Sequence, residues 1–200
     1  MTQVDERVLL WINSLVGKSS ILDRIMILLA NDYFIPVTFF LILVGLWFLG
    51  GDMAQRESYQ RAVIVTAISI GSACGFVLAC NHLYQHPHPF DLEEMPQFGY
   101  AADHIFYRIH DPAFPSNTSA VTFAAATGLW QRSHKIGALM LIPAILMPFA
   151  KLYAAIYWPS DIVAGAIVGI LTAYFIKLIM PVFEPIVSRV LMMLRKICLA

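Results

Sequence analysis

Long apolar runs separated by short polar clusters dominate this chain. Tyr33 to Gly50 and Ala62 to Cys80 each approach the roughly 20 mostly apolar residues a helix needs to cross a bilayer core. Thr118 to Trp130 is shorter, and Ile136 to Phe149 and Ile162 to Met180 follow it closely. The stretch from Val8 to Ala30 is apolar but interrupted by Asn13, Gly17-Lys18 and Asp23-Arg24, which predicts one or two interfacial or tilted helices within residues 1–32. Val182 to Ala200 is an amphipathic tail with Arg189, Arg195 and Lys196 on its polar positions. The pattern predicts an all-α, polytopic membrane helix bundle of five to six transmembrane helices. No internal repeat stands out, so residues 1–200 are read as one domain.

Composition agrees with the pattern. Of 200 residues, 59% are hydrophobic and 13% charged, and the mean hydropathy is +0.70, far from soluble averages. A formal net charge of +0 leaves no footprint for nucleic acid. Cys74, Cys80 and Cys198 lack paired spacing and read as small apolar residues. Asp5-Glu6 falls early and no small-residue cleavage site follows, so no cleavable signal peptide is expected. Trp11, Trp47, Trp130 and Trp158 fall near predicted span ends and suit an interfacial belt.

Lys and Arg in short loops orient the bundle. Arg56 and Arg61, Arg132 and Lys135, and Lys177 with the tail are assigned to the cytoplasm. Residues 81–115 are then extracytoplasmic, as in a protein of a bacterial inner membrane. That segment carries Asp91, Glu93, Glu94, Asp103 and Asp111 against Arg108, and also His82, His86, His88, His104 and His110.

Three polar clusters converge at this outer face: "NHLYQHPHPF" (81–90), "FPSNTS" (114–119) and "AKLYAAIYWPSD" (150–161). Polar and ionisable groups are costly in membrane segments, so their convergence marks a candidate site. A helix starting at Ser116 presents free N–H groups and a positive dipole end to an anion, although Ser116 also suits a plain helix cap. Tyr157, Asp161, Gly165 and Gly169 recur every four residues and share one helix face. The glycine pair reads as a close helix contact, and Asp161 reads either as a water-facing cap or as a carboxylate with a partner. His82 and His86 are four apart with acids nearby, but Pro87 interrupts and no strict metal pattern is present.

In order and spacing these clusters resemble the type 2 phosphatidic acid phosphatase family, membrane relatives of vanadium haloperoxidases. That family carries Lys-x6-Arg-Pro, Pro-Ser-Gly-His and Ser-Arg-x5-His-x3-Asp. Here they stand as Asn81-x6-His88-Pro89, Pro115-Ser116-Asn117-Thr118 and Ala150-Lys151-x5-Tyr157-x3-Asp161. "HPHPF" is similar to the family's "RPRPF", and "YWPSDIVAGAIVG" to its last motif and following helix. The resemblance implies a metal-independent phosphoryl transfer. Its third-motif histidine is the nucleophile, the aspartate orients it, the second-motif histidine protonates the leaving group, and Lys and Arg cradle the phosphate.

Carried over by position, the nucleophile becomes Tyr157, the general acid Thr118 and the orienting acid Asp161. The phosphate-binding positions are Asn81, His88, Ser116, Asn117 and Lys151. Losing Arg forks and a Lys charge removes bidentate cation geometry. Thr118 is no acid near neutral pH, and Tyr157, reference pKa about 10, would need a strong cation such as Lys151 to ionise. The expectation is therefore a non-catalytic lipid-phosphate-binding protein, or a structural subunit of a membrane complex, with lipids and other membrane subunits as partners. No cofactor or metal is expected. The alternative is an active phosphatase of phosphatidate or a polyprenyl diphosphate, working through a histidine recruited from the outer segment, such as His86, His104 or His110.

Overall fold

The computed structural model describes residues 3–92 and 111–196. Among them seven α-helices follow one another: α1 (Gln3–Asn13), α2 (Ser20–Ala30), α3 (Phe34–Phe48), α4 (Met53–Leu83), α5 (Asn117–Trp130), α6 (His134–Tyr153) and α7 (Pro159–Lys196). A short 3₁₀ turn at Pro89–Asp91 follows α4. Helix starts are written locally. Ser19, Asp52, Ser116 and Ser133 each accept, through their side chains, a backbone N–H three residues on, at 3.4, 2.7, 3.3 and 3.5 Å.

The centre of the bundle is α5, which packs against α4, α6 and α7. Its 14 residues are too short to cross a bilayer core, and they are small. Ala120, Ala124, Ala125, Ala126, Gly128 and Leu129 are all buried, so neighbouring helices close around it. Gly165 and Gly169 of α7 allow the nearest approach. A Cβ built on either would overlap a backbone carbonyl oxygen of α5, Ser116 or Ala120 respectively. The close helix contact read from the glycine pair is thus the α5–α7 interface.

Around this small-residue centre the pattern inverts. On α7, Gly165, Gly169, Ala173 and Ile176 are buried, whereas Val163, Ile167, Leu171, Phe175 and Leu178 are exposed. Phe40, Leu41, Val44 and Phe48 of α3 are likewise exposed. Large apolar side chains facing outward over several turns fit a lipid environment.

Length and hydropathy pick out three membrane-crossing helices among the described residues: α4, α6 and α7. The all-α membrane bundle expected from the apolar runs is present, with α3, apolar over Pro36–Phe48, as a further, shorter helix. Helix α3 has 15 residues, and α5 is shorter still. Helix α7 runs 38 residues through Pro181 and Pro185, about 57 Å at 1.5 Å per residue. Its last turns are tied to the start of α4, where Arg61 bonds Glu57, Glu184 and Ser188, and Arg195 donates to Glu57 at 2.7 Å. Trp158, expected in an interfacial belt, is fully buried instead. It lies against Leu9 and Ile12 of α1 and donates through Nε1 to the Pro87 carbonyl at 3.2 Å.

Candidate functional site

The end of the bundle where α4 finishes and α5 and α7 begin gathers all three polar clusters. "WPSD" is a helix start. Trp158 precedes Pro159, whose missing N–H costs nothing at the first helical position. Asp161 reaches back so that Oδ2 accepts the Trp158 N–H at 3.1 Å, the returning half of a capping box. Asp5 of α1 adds a second carboxylate to the same terminus, accepting the Ser160 N–H at 3.1 Å. Helix α5 is pinned alongside, because Ser116 N donates to the Asp161 carbonyl at 3.0 Å and Ser119 Oγ donates to the Ile162 carbonyl at 2.8 Å. Asp161 is a cap, as one reading had it, but it is buried and does not face water.

Tyr157 fills the position where the resemblance places a nucleophilic histidine. Its ring is buried, tilted against His88 with centroids 5.5 Å apart. The Lys151 ammonium sits 5.8 Å from the ring centroid, and Ser116 and Thr118 hydrogen-bond the hydroxyl through their side chains. Burial first, and then the Asp111 and Asp32 charges, push the phenol well above its ordinary pKa. Tyr157 is therefore held as a neutral phenol. Ser116, Thr118, Tyr157 and Lys151 are brought together, but the three hydroxyls are spent on one another and Lys151 on Asp32.

The cations fare similarly. Lys151 is almost wholly inaccessible and ion-pairs with Asp32, from the turn between α2 and α3. It lies over the Tyr157 ring face and its charge is matched. Buried His88 places Nδ1 2.6 Å from the Ile156 carbonyl and Nε2 2.6 Å from the Asp111 carbonyl. Both contacts are hydrogen bonds at once only when each nitrogen carries a proton. In either protonation state the two nitrogens face backbone, so His88 staples the 88–91 turn to the loops before α5 and α7.

A second arrangement lies beside this sealed one. His86 Nδ1 stands 3.3 Å from Asp161 Oδ1, facing it without hydrogen-bond alignment, and neither atom has a hydrogen-bond partner. His86 stacks on Tyr84, with centroids 5.6 Å apart, and meets the edge of Phe114 at 6.3 Å. Its backbone carbonyl accepts Ala113 N–H at 2.8 Å. These groups, with Asp5, Trp158 and Ser160, line a cavity of about 420 Å³. Burial above all, with nearby positive charge that includes His88, holds the His86 imidazole below its ordinary pKa, against a weaker opposing pull from Asp5. It is a neutral base near pH 7. Buried Asn81 Oδ1 and Asn117 Oδ1 at the same end also lack hydrogen-bond partners.

Sequence reasoning named His86 as a recruit and missed Asp32 and Asp5. The available signal was general, since a lysine inside an apolar helix needs a carboxylate and Asp32 lies between two apolar helices. His82 is exposed, and His104 and His110 lie outside the described residues. Among the described residues no three His, Cys, Asp or Glu side chains group as a metal site.

An α5 N-terminus enclosed by α4, α6 and α7, with the motif residues at one end, defines a membrane phosphatase fold of the type 2 phosphatidic acid phosphatase kind. The PAP2 superfamily model matches residues 62–184, and the chain belongs to that superfamily. It is 28% identical over 148 residues, 72% of this chain and 67% of the relative, to the Escherichia coli (strain K12) protein named "Putative undecaprenyl-diphosphatase YbjG". It is 22% identical, over 70% of this chain and 69% of the other, to the bacitracin transport permease protein BcrC of Bacillus licheniformis. In fold it is similar to Aquifex aeolicus LpxE, with TM-score 0.65, 21% identity and coverage of 88% and 95% of the two chains. The PAP2-type phosphatidylglycerolphosphate phosphatase of Bacillus subtilis aligns at TM-score 0.57 and 14% identity, over 88% and 86%.

Proposed function

We propose that this protein is a phosphatase of a membrane lipid diphosphate, of polyprenyl type, in which the nucleophilic histidine has moved from position 157 to position 86. The observation that carries it is His86 facing the buried Asp161 carboxylate at 3.3 Å on the wall of a 420 Å³ cavity. With the ring turned so that Asp161 accepts from Nδ1, the tautomer would be fixed and the Nε2 lone pair left to react. Family membership and the relative named as a diphosphatase support the same reading.

In the step proposed, Nε2 attacks the terminal phosphorus, and the bond from phosphorus to the bridging oxygen breaks, its electron pair leaving on the lipid monophosphate. Water then adds to phosphorus, the P–N pair returns to Nε2, and orthophosphate and a proton are released. With Thr118 where the family has a proton donor, this chemistry selects a diphosphate over a monoester. A phosphate leaving group, whose second pKa is about 6, departs without the proton an alkoxide requires. The reading includes a bacterial inner membrane, with this cavity at the extracytoplasmic face.

Phosphate release from purified protein with polyprenyl diphosphate and phosphatidate tests it. Diphosphate is turned over in preference, His86→Gln lowers the rate at least about 100-fold, and Tyr157→Phe stays within about threefold of wild type. No release from either lipid, or unchanged release after His86→Gln, overturns it.

A second reading has its own observation. Lys151 is matched by Asp32, and His88 bonds two carbonyls, so the cation positions of the family face inward. That favours a non-catalytic member that holds a lipid phosphate or packs in an assembly. Saturable binding of polyprenyl diphosphate without turnover would select it.

A further inference from the structure

A second cavity, about 490 Å³, lies at the other end of the bundle, between the first half of α4, the end of α5 and the second half of α7. We propose that it seats the phosphate of an anionic glycerophospholipid drawn from the adjoining leaflet.

The lining is divided in the way such a lipid is. Val65 and Met180 contribute apolar wall, while Arg61, Arg132, Lys177 and Glu184 contribute charge. The charges are not equivalent. Arg61 is saturated, bonding Glu57, Glu184 and Ser188, and it consumes the one lining carboxylate. Arg132 and Lys177 are exposed and, among the described residues, have no ion-pair partner. The Arg132 guanidinium is steadied at 5.8 Å from the Tyr59 ring centroid, which leaves its N–H edges free. Two free cations, on different helices, therefore rim a cavity whose acid is already neutralised. Both α4 and α7 have membrane-crossing length and hydropathy, which places a cavity walled by these helices beside lipid. Basic pockets between membrane helices take anionic head groups, with each Lys or Arg contributing about fivefold in affinity. The apolar wall distinguishes a lipid from a free ion, for which it offers nothing.

Full-length protein in neutral detergent is titrated with phosphatidylglycerol, phosphatidylcholine or inorganic phosphate, following the thermal unfolding midpoint and the lipid retained in native mass spectrometry. Phosphatidylglycerol raises the midpoint and is retained, while phosphatidylcholine and inorganic phosphate do neither. Arg132→Ala with Lys177→Ala weakens phosphatidylglycerol binding roughly 30-fold, and Arg132→Lys with Lys177→Arg retains most of it. Equal shifts with phosphatidylcholine, an undiminished shift in the double alanine variant, or a full shift with inorganic phosphate would overturn the assignment.

Discussion

Two polar clusters share Asp161's end of the bundle and have opposite characters. In the first, around Tyr157, the named polar groups face inward: the phenol toward Ser116 and Thr118, Lys151 toward Asp32, and both His88 nitrogens toward backbone carbonyls. In the second, around His86, a neutral base and a carboxylate oxygen face each other without a completed bond, beside a cavity. Buried polar groups are costly unless paired. A closed set is the signature of structure, and an incomplete set the signature of a place where something else completes it. Around Tyr157 the polar groups close on one another, and beside them His86 and Asp161 border an open cavity.

This contrast can be attacked in order of expected effect. Asp32→Asn leaves the Lys151 ammonium buried without its counter-charge and should cost about 3 kcal/mol or more in stability, read by thermal or denaturant unfolding. Replacing both partners with apolar residues (Asp32→Leu, Lys151→Met) should recover most of it. A double variant as unstable as the single would mean the pair does more than balance charge. Gly165→Ala probes the shared wall, since a methyl there meets the Ser116 carbonyl oxygen, which is backbone and cannot swing aside. About 2 kcal/mol of destabilisation is expected, with loss of activity, because Ser116 N–H holds the Asp161 carbonyl. A fully stable alanine variant would show that α5 and α7 sit farther apart.

Tyr157→Phe removes a hydroxyl bonded to Ser116 and Thr118 and should cost about 1 kcal/mol, with little change in turnover. A collapse of turnover would return the chemistry to the sealed cluster. The smallest effect is a pH dependence. The His86 pKa is lowered in the fold, so below its unfolded value near 6.5 the unfolded chain binds more protons and stability falls as pH falls. Activity that needs the neutral imidazole declines over the same acid range. The stability slope should flatten in His86→Gln, and a slope that persists would have to come from another group.

Much of this arrangement is written locally. Helix starts at Ser19, Asp52, Ser116 and Ser133 follow from side chains that reach three residues ahead. The i, i+4 glycines of α7 announce a close neighbour. The motif order predicts which loops meet, and they do meet. What escapes local reading is long-range. Lys151 and Asp32 are separated by 119 positions, and nothing near either names the other. Trp158 looks like an interfacial residue until α1 folds over it. Helix α5 owes its apolar character to enclosure by other helices, and Pro181 and Pro185 do not end α7. His86 was visible as a histidine in the right segment. Its pairing with Asp161 depended on how the 84–88 backbone turns, which Trp158 sets through the Pro87 carbonyl.

Helix α1 carries a practical lesson. Its Asp5 grips the backbone of Ser160 while also lining the His86 cavity. Bulky fusions ahead of residue 3 would crowd this cavity, whereas Lys196, at the far end of α7, is a helix length away. Placement of a purification tag can therefore change what reaches this cavity, and the C-terminal side is where it belongs.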